Sequence, residues 1–250
     1  MKTLLKNGRI YDGTGRTPYT GSILIEDDRI AGVGKEIPEA GADRIFDLEG
    51  LSVSSGFIDA HSHNDWFAIK KNPVPYFEPF VRQGITTFIT GNCGLSAIGF
   101  EPESPYVDHL GGGLFSFRDT TGRYGTAVDF FKAIDRSNPC NIASLVGHCS
   151  ARAGVAGNGG RPLTAGEEEE MLAILEKALK QGACGISLGL MYEPGLYADT
   201  KELKKVAALC LKYGRPLTVH PRANSAVSMS YPELLGRSHL LRAVDEDDVA

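Results

Sequence analysis

The sequence predicts an α/β fold: a (β/α) barrel of the TIM type, incomplete at about five to six of its eight units, preceded by a small partial β-sandwich. The first fifty-odd residues contain only strand-like segments, and from Gly56 onwards short apolar segments alternate with helical patterns. Helices also end repeatedly on a glycine just before a strand. We therefore assign residues 1–55 to the sandwich and residues 56–250 to the barrel portion, with an insertion at 94–139.

The composition is that of a globular protein, with 42% hydrophobic and 23% charged residues. A formal net charge of −5 provides no basic surface for nucleic acid or an anionic membrane. No apolar run approaches the roughly 18 residues of a membrane span, and the first residues lack the pattern of a signal peptide. The five scattered cysteines do not form a disulfide framework. We expect a cytoplasmic protein with reduced thiols and leave its oligomeric state open.

The first unit is predicted to be all-β. The apolar segments on either side of Asp27-Asp28 predict a hairpin of residues 22–26 and 29–33. Further strands are expected at residues 4–11, 44–48 and 51–53. A sheet of this size has little core of its own, so it requires another surface to pack against.

The second unit is predicted to contain five parallel strands, at residues 57–61, 85–90, 141–146, 185–188 and 216–220. Thr164 and Glu167 form the T-x-x-E pattern of a capping box at the start of a helix, and another helix opens at Asp199. Three glycines are placed to end helices in the left-handed conformation and return the chain to the sheet: Gly84, Gly182 and Gly214.

The number of predicted strands is too small to close a barrel of eight. A last helix is expected from about Pro232 through Leu240, Leu241 and Val244, and it has no glycine or proline at its end. We therefore expect the chain to be the amino-terminal part of a longer protein.

Candidate metal ligands follow most of these strands. His61 and His63 end the first strand, where residues two apart face the same side. Cys93 follows the second strand, His148 the third, and His220 ends the fifth. An isolated His-x-His pair is more often structural, but histidine or cysteine at four of five strand ends favours a metal site. Thiolate and imidazole ligands suit Zn²⁺, and barrels of this kind keep their chemistry at the carboxyl ends of the strands.

These residues also carry a resemblance to a known family. Residues 56–63, GFIDAHSH, after an all-β segment resemble the amidohydrolase superfamily. Within it, GNCG at 91–94, GH at 147–148 and SLGLMYEPG at 187–195 resemble the D-aminoacylase (N-acyl-D-amino-acid deacylase) family. The match extends from about Leu4 to the end of the chain.

The resemblance implies zinc-dependent hydrolysis of the N-acyl amide bond of small N-acyl-D-amino acids by metal-activated water. His61 and His63 would bind the weaker metal position, Cys93 and His220 would be metal ligands, and Tyr192 would lie near the substrate. A further histidine ligand on the sixth strand and an aspartate on the eighth, ligand and general base, are expected beyond residue 250. The 250 residues alone are therefore expected to be inactive. One tight zinc ion is implied, and a second, weaker ion is left open.

Three further residues are candidates for substrate binding. Arg152 and Arg222 follow His148 and His220 closely, and a guanidinium group can hold a substrate carboxylate through two hydrogen bonds. A structural salt bridge near the rim of the barrel is an equal alternative for each arginine. His148 itself is the third candidate.

Two other functions remain open. The first is a cyclic amidase of the dihydroorotase or hydantoinase kind. Such enzymes commonly bridge two metals with a carboxylated lysine, and no lysine ends the fourth predicted strand, so the segment around Cys93 argues against it. The second is an inactive metal-binding or partner-dependent fragment. The acyl group, the preferred side chain and the D or L selectivity do not follow from the residues.

Overall fold

The structure is a computed structural model that describes residues 1–110, 115–222, 227–228 and 241–242. The chain divides into two compact units, Met1–Phe57 and Ile58–Ala250. This division lies close to the boundary that the change of pattern at Gly56 predicts.

The first unit is one mixed sheet of five strands. They are β1 (Lys2–Tyr11), β2 (Tyr19–Glu26), β3 (Arg29–Gly34), β4 (Arg44–Asp47) and β5 (Ser52–Ser54). β2 pairs antiparallel with β1 and with β3, whereas β4 and β5 both pair parallel with β1. The predicted hairpin is confirmed: β2 and β3 flank a turn in which Asp27 has a φ of 55°.

The expected partial sandwich is present as a single layer. β4 and β5 add side by side along β1, at Thr3–Lys6 and Arg9–Tyr11, so they extend the same sheet and do not form a second one. Leu4, Ile10 and Ile23 are buried, while other apolar side chains of the unit are exposed: Ile30, Val33, Ile45, Phe46 and Leu51.

The second unit contains a parallel sheet in sequential order. Its strands are β6 (Phe57–Asp59), β7 (Ile85–Thr90), β8 (Asn141–Ser144), β9 (Val146–Gly147), β10 (Ile186–Gly189) and β11 (Leu217–His220). The hydrogen-bonded orders are β6-β7-β8 and β9-β10-β11. β8 and β9 are the two halves of the predicted third strand, interrupted at Leu145, whose N–H bonds to Thr90 O at 2.9 Å. The five predicted strands therefore occur in the order of a (β/α) barrel.

Helices connect these strands: α1 (Asp65–Ala68), α2 (Val74–Val81), α3 (Ala127–Ile134), α4 (His148–Ala156), α5 (Ala165–Lys180) and α6 (Thr200–Tyr213). Short 3₁₀ turns occur at Val107–His109 and Gly195–Tyr197. The predicted capping box of Thr164 and Glu167 is confirmed, with both of its hydrogen bonds present. The three helix-ending glycines all have positive φ, as their positions predict: Gly84, Gly182 and Gly214. Within the described residues, no helix is both long enough and apolar enough to span a bilayer.

The core of this unit lies around the middle strands. All four residues of β10 are buried, and a cluster of large apolar side chains surrounds the sheet: Phe77, Phe88, Phe100, Phe130 and Met171. The outermost strands differ, because Ile58 on β6 is 65% exposed and Val219 on β11 is 47% exposed. A closed barrel would bury such side chains, so the described strands form an open sheet.

The insertion at 94–139 is packed against the rest of its unit. It contains α3, as the pattern near residues 128–134 predicts. An isolated bridge joins Lys70 to Thr120, Lys71 N–H donates to Asp119 O at 2.9 Å, and Thr121 N–H donates to Ile69 O at 2.8 Å. These contacts fix residues 119–121 of the insertion beside the end of α1.

The helix predicted from about Pro232 falls largely outside the described residues. Leu241–Arg242, which the prediction placed in that helix, instead form a short strand, β13, antiparallel to β12 (Val227–Ser228). The prediction is wrong at these two positions, because pairing with another segment overrides a local apolar periodicity.

Candidate metal centre

His61 and His63 lie in the loop between β6 and α1. The strand ends at Asp59, earlier than predicted, so strand alternation does not hold the two rings. Hydrogen bonds fix the loop instead: His61 N–H donates to Asp59 Oδ1 at 3.1 Å, and Ser62 N–H donates to Ile89 O on β7 at 3.1 Å. The two imidazole rings lie 6.0 Å apart, edge to face.

Cys93 lies in a tight turn directly after β7. The φ angles of Gly91, Cys93 and Gly94 are 71°, 56° and 73°, so the turn uses the left-handed region three times in four residues. For cysteine this conformation is uncommon and must be held by its surroundings. The Asn92 side chain contributes, because its amide donates to Ile89 O at 3.0 Å. The turn brings the thiol toward the histidine loop.

Three of the four predicted ligands converge. One ligand atom from each of His61, His63 and Cys93 lies within 4.8 Å of the others. Cys93 Sγ is 3.2 Å from His61 Nε2. The buried Nδ1 atom of His63 has no hydrogen-bond partner in the protein. Two imidazoles and a thiol at this spacing fit a zinc-type ion.

His220, the fourth predicted ligand, is not part of this group. It ends β11, with its Nε2 atom 3.2 Å from Met191 Sδ and its ring 5.2 Å from the Tyr192 ring. It is nevertheless close enough to interact electrostatically: burial lowers the pKa of His220, and the charge of His61 lowers it further. Its role as a ligand stays a prediction.

The protonation of the group in the metal-free chain follows from its burial. Burial lowers the pKa of His63, and the charges of His61 and His220 lower it further. A lowered pKa keeps the imidazole neutral at neutral pH, the form in which histidine binds metals. Burial raises the pKa of the Cys93 thiol, partly opposed by a hydrogen bond from Tyr192.

Arg152 and His148 were predicted to contact substrate, and the structure gives both an internal partner instead. Both side chains are fully buried on α4. Glu202 Oε1 on α6 lies 2.7 Å from His148 Nε2 and accepts from Arg152 Nε at 3.1 Å. Arg152 also donates to Pro194 O at 3.1 Å and to Arg161 O at 2.9 Å. The structural alternative that we gave for Arg152 therefore fits its contacts, and the His148 ring is fully enclosed by the protein. Substrate binding by either residue stays an untested prediction.

Glu202 is the charged centre of that buried network. Burial alone would raise the pKa of Glu202, but the hydrogen bond and charge of His148 and the charge of Arg152 outweigh it, and the pKa is lowered. The carboxylate therefore stays ionised inside the protein. Sequence reasoning treated this residue only as part of the first turn of a helix, because its partners lie some fifty positions away.

Arg222 is also bound to the protein. One terminal nitrogen donates to Leu196 O at 2.5 Å, and the other donates to Ala198 O. These carbonyls belong to the segment that follows Tyr192. The contacts agree with a structural role for Arg222 and leave substrate binding as an untested proposal.

Sequence reasoning missed an aromatic stack on His63. The Phe115 ring stacks on the His63 ring at 4.9 Å and 24°, and the Trp66 ring stacks on Phe115 at 5.7 Å and 14°. Lys70 Nζ donates to Arg118 O at 2.6 Å and so holds the segment of the insertion that follows Phe115. The aromatic residue Phe115 was the only sign of this stack in the sequence. The sequence near Phe115 does not show against which residues the insertion packs, because that depends on the tertiary structure.

Asp65 is a second residue that was missed. It begins α1 two positions after His63, is completely buried, and accepts a hydrogen bond from Ala97 N–H at 2.7 Å. Burial raises the pKa of Asp65 to about 7, although backbone N–H groups, led by that of Ala97, oppose the shift. An acidic residue so soon after the His-x-His pair was the signal in the sequence.

Comparison with known proteins identifies the family. The amidohydrolase family pattern matches residues 44–215, which include the first two histidines, Cys93 and the segment around Tyr192. The chain belongs to the amidohydrolase family.

Comparison with individual amidohydrolases shows which members of the family the chain is similar to. The chain is 34% identical over 221 residues to a D-aminoacylase of Alcaligenes xylosoxydans xylosoxydans, covering 87% of this chain and 42% of that protein. It is 32% identical over 237 residues to the N-acyl-D-glutamate deacylase of the same organism, covering 94% and 47%. The crystal structure of N-acyl-D-glutamate deacylase from Bordetella bronchiseptica, complexed with zinc and a phosphonate inhibitor, superposes with a TM-score of 0.75 at 34% identity, covering 88% and 45%.

These similarities confirm the predicted resemblance to the D-aminoacylase family. The chain spans less than half the length of each of these relatives. The zinc in the Bordetella protein agrees with the metal that the donor set of this amidohydrolase favours.

Proposed function

We propose that this amidohydrolase chain supplies the metal-binding amino-terminal part of a zinc-dependent enzyme that hydrolyses the N-acyl bond of N-acyl-D-amino acids. The observation that carries the proposal is the convergence of His61, His63 and Cys93 beyond the carboxyl ends of two parallel strands. A D-aminoacylase and an N-acyl-D-glutamate deacylase are among its relatives. Because the chain spans less than half of their lengths, the activity is proposed for the whole protein.

The metal would be held first by the three converging side chains. His220 is proposed as a further ligand, reached by turning its ring away from Met191, whose sulfur its Nε2 atom now contacts at 3.2 Å. When bound, zinc acts as a Lewis acid that polarises the acyl carbonyl of the substrate. One ion accounts for these donors in the chain. For the whole protein we propose the division that the family resemblance implies, with a tight position that includes Cys93 and His220 and a weaker position at His61 and His63.

The chain's own residues prepare this site in two ways. Lowered pKa values keep His63 and His220 neutral at neutral pH, so binding a cation there does not first require removal of protons from the rings. The stacked rings of Phe115 and Trp66 cover one side of His63 with apolar surface, which excludes water from that side of the site. The proton transfer itself is assigned to an aspartate expected beyond residue 250.

Tyr192 is proposed to lie beside the bound substrate. Its ring packs edge to face against His220, at the border of the ligand group. The substrate is proposed to be a small N-acyl-amino acid. One relative is named for D-glutamate and the other is named a D-aminoacylase without a stated side chain, so both acidic and neutral side chains belong in any test.

The test is an assay of the full-length protein on matched N-acetyl-D- and N-acetyl-L-amino acids, with glutamate, aspartate, leucine and methionine side chains. We expect turnover of D substrates only, loss of turnover when a chelator removes the metal, and recovery when zinc is restored. Equal turnover of the two enantiomers, or full turnover after complete metal removal, would refute the proposal.

A further inference from the structure

The turn that presents Cys93 needs support from other parts of the chain. Its left-handed conformation is unfavourable for a cysteine, and the thiol reaches His61 only while the turn keeps this shape. The supporting contacts come largely from β10 and the residues that follow it.

Ser187 on β10 spans the turn from end to end. Its side chain is fully buried, its Oγ accepts from Gly94 N–H at 2.9 Å, and its hydroxyl donates to Gly91 O at 2.5 Å. One hydroxyl group therefore joins the residue two before Cys93 to the residue directly after it. Packing within the strand alone does not account for two hydrogen bonds from one side chain to one turn.

Two further residues of the same segment contact the turn. The Tyr192 hydroxyl donates to the Cys93 carbonyl. Gly189 lies so close to that carbonyl that a Cβ atom there would collide with it. Ser187, Gly189 and Tyr192 thus approach the Cys93 turn from one side, and they account for much of the SLGLMYEPG pattern.

We infer that Ser187 is a positioning residue that holds Cys93 in its metal-binding orientation through paired hydrogen bonds to Gly91 and Gly94. The inference rests on the proposed metal site. It assigns to this serine a role in metal affinity, in addition to its contribution to folding.

Ser150 on α4 provides a matched control. It is equally buried, and its Oγ makes the same pair of bonds to a different residue: it accepts from Ser96 N–H at 2.9 Å and donates to Ser96 O at 3.0 Å. Ser187→Ala and Ser150→Ala therefore remove the same hydroxyl and the same kind of bonds. Only the first removes bonds to the Cys93 turn.

Amide hydrogen exchange of the metal-free 250-residue chain is measured first. We expect faster exchange at Gly94 in Ser187→Ala and at Ser96 in Ser150→Ala, because each amide loses its acceptor. Unchanged exchange at Gly94 in Ser187→Ala would overturn the inference whether or not the chain binds metal. Failure of this inference is therefore distinguishable from failure of the proposed function.

Zinc affinity, from competition with a chromogenic chelator, is measured second. We expect Ser187→Ala to raise the zinc Kd about tenfold, as loss of a buried hydrogen-bonded pair would, while Ser150→Ala leaves it unchanged. Equal effects of the two substitutions, or no effect of either, would overturn the inference. If Ser187→Ala does not fold, Ser187→Cys takes its place, because a thiol is close in size to the hydroxyl but is only a weak hydrogen-bonding group. An unchanged Kd in Ser187→Cys would then count against the inference.

Discussion

Cys93 is the residue on which the metal group most depends, because it supplies the one sulfur atom among the three converging ligands. It lies 3.2 Å from a His61 nitrogen in a conformation that few cysteines adopt. A buried cysteine that only fills space has no need of such a turn.

Replacing Cys93 with alanine is expected to abolish tight zinc binding by the chain, because it removes the one thiolate from the ligand set and leaves only imidazoles. Zinc content after dialysis, measured by elemental analysis, checks this result. Cys140→Ala is the matched control: its thiol is partly buried and contacts Ile85 O at 3.7 Å, outside the metal group. Full zinc content in Cys93→Ala would remove this residue from the ligands.

The stack of Phe115 on His63 predicts a second effect on metal affinity. Phe115→Leu keeps an apolar side chain but removes the ring that orients the imidazole, and we expect the zinc Kd to rise by about threefold to tenfold. Phe117→Leu is the control, because the Phe117 ring packs against Trp66 and Phe100. The role given to the stack is wrong if the two variants bind zinc equally.

At the scale of elements, two arginines bind the main chain of residues 194–198, which follow β10. Arg222 donates to the carbonyls of Leu196 and Ala198, and Arg152 donates to that of Pro194. Buried arginines whose donors are bound to main-chain carbonyls act as fixed supports.

Arg222→Gln is therefore expected to loosen this segment. Hydrogen exchange at the Leu196 and Ala198 amides should rise by about tenfold, while exchange in the Cys93 turn changes little. Arg215→Gln removes the same charge from an exposed residue just before β11 and serves as the control. Unchanged exchange at Leu196 and Ala198, together with a raised KM in the full-length enzyme, would instead support a substrate contact for Arg222.

The start of α5 predicts a pH-dependent contribution to stability. Hydrogen bonds from Arg161 and Thr164 lower the pKa of Glu167 to about 2 from its ordinary 4.5. Because the folded-state pKa is depressed, the contribution is present above pH 4.5 and is lost as the pH falls toward 2.

Glu167→Gln should therefore destabilise the chain more at about pH 7 than at about pH 3, and urea unfolding at each pH measures the difference. Glu169→Gln, at an exposed position of the same helix, removes the same charge and is the matched control. An effect of Glu167→Gln that is equal at both pH values would contradict the assignment.

At the scale of the whole molecule, local sequence patterns predict where helices and strands occur better than they predict which strands pair with each other. The capping box at Thr164 and the left-handed Gly214 follow from short-range geometry, and both are present. Leu241–Arg242 and the single-layer first unit were not foreseen, because strand pairing joins residues far apart in the chain.

In the candidate site, too, some features could be predicted from the sequence and others could not. The residue types at the ends of the predicted parallel strands indicate the convergence of His61, His63 and Cys93, because the carboxyl ends of such strands meet at one edge of the sheet. Neither the burial of Arg152 against Glu202 nor the approach of Phe115 to His63 could be predicted, since both depend on packing between distant segments.

The most direct test of the metal centre is X-ray absorption spectroscopy of the zinc-loaded chain. The account predicts one sulfur scatterer at about 2.3 Å and at least two imidazole nitrogens at about 2.0–2.1 Å, with the sulfur contribution lost in Cys93→Ala. A zinc ion surrounded only by oxygen and nitrogen in the unaltered chain would contradict it.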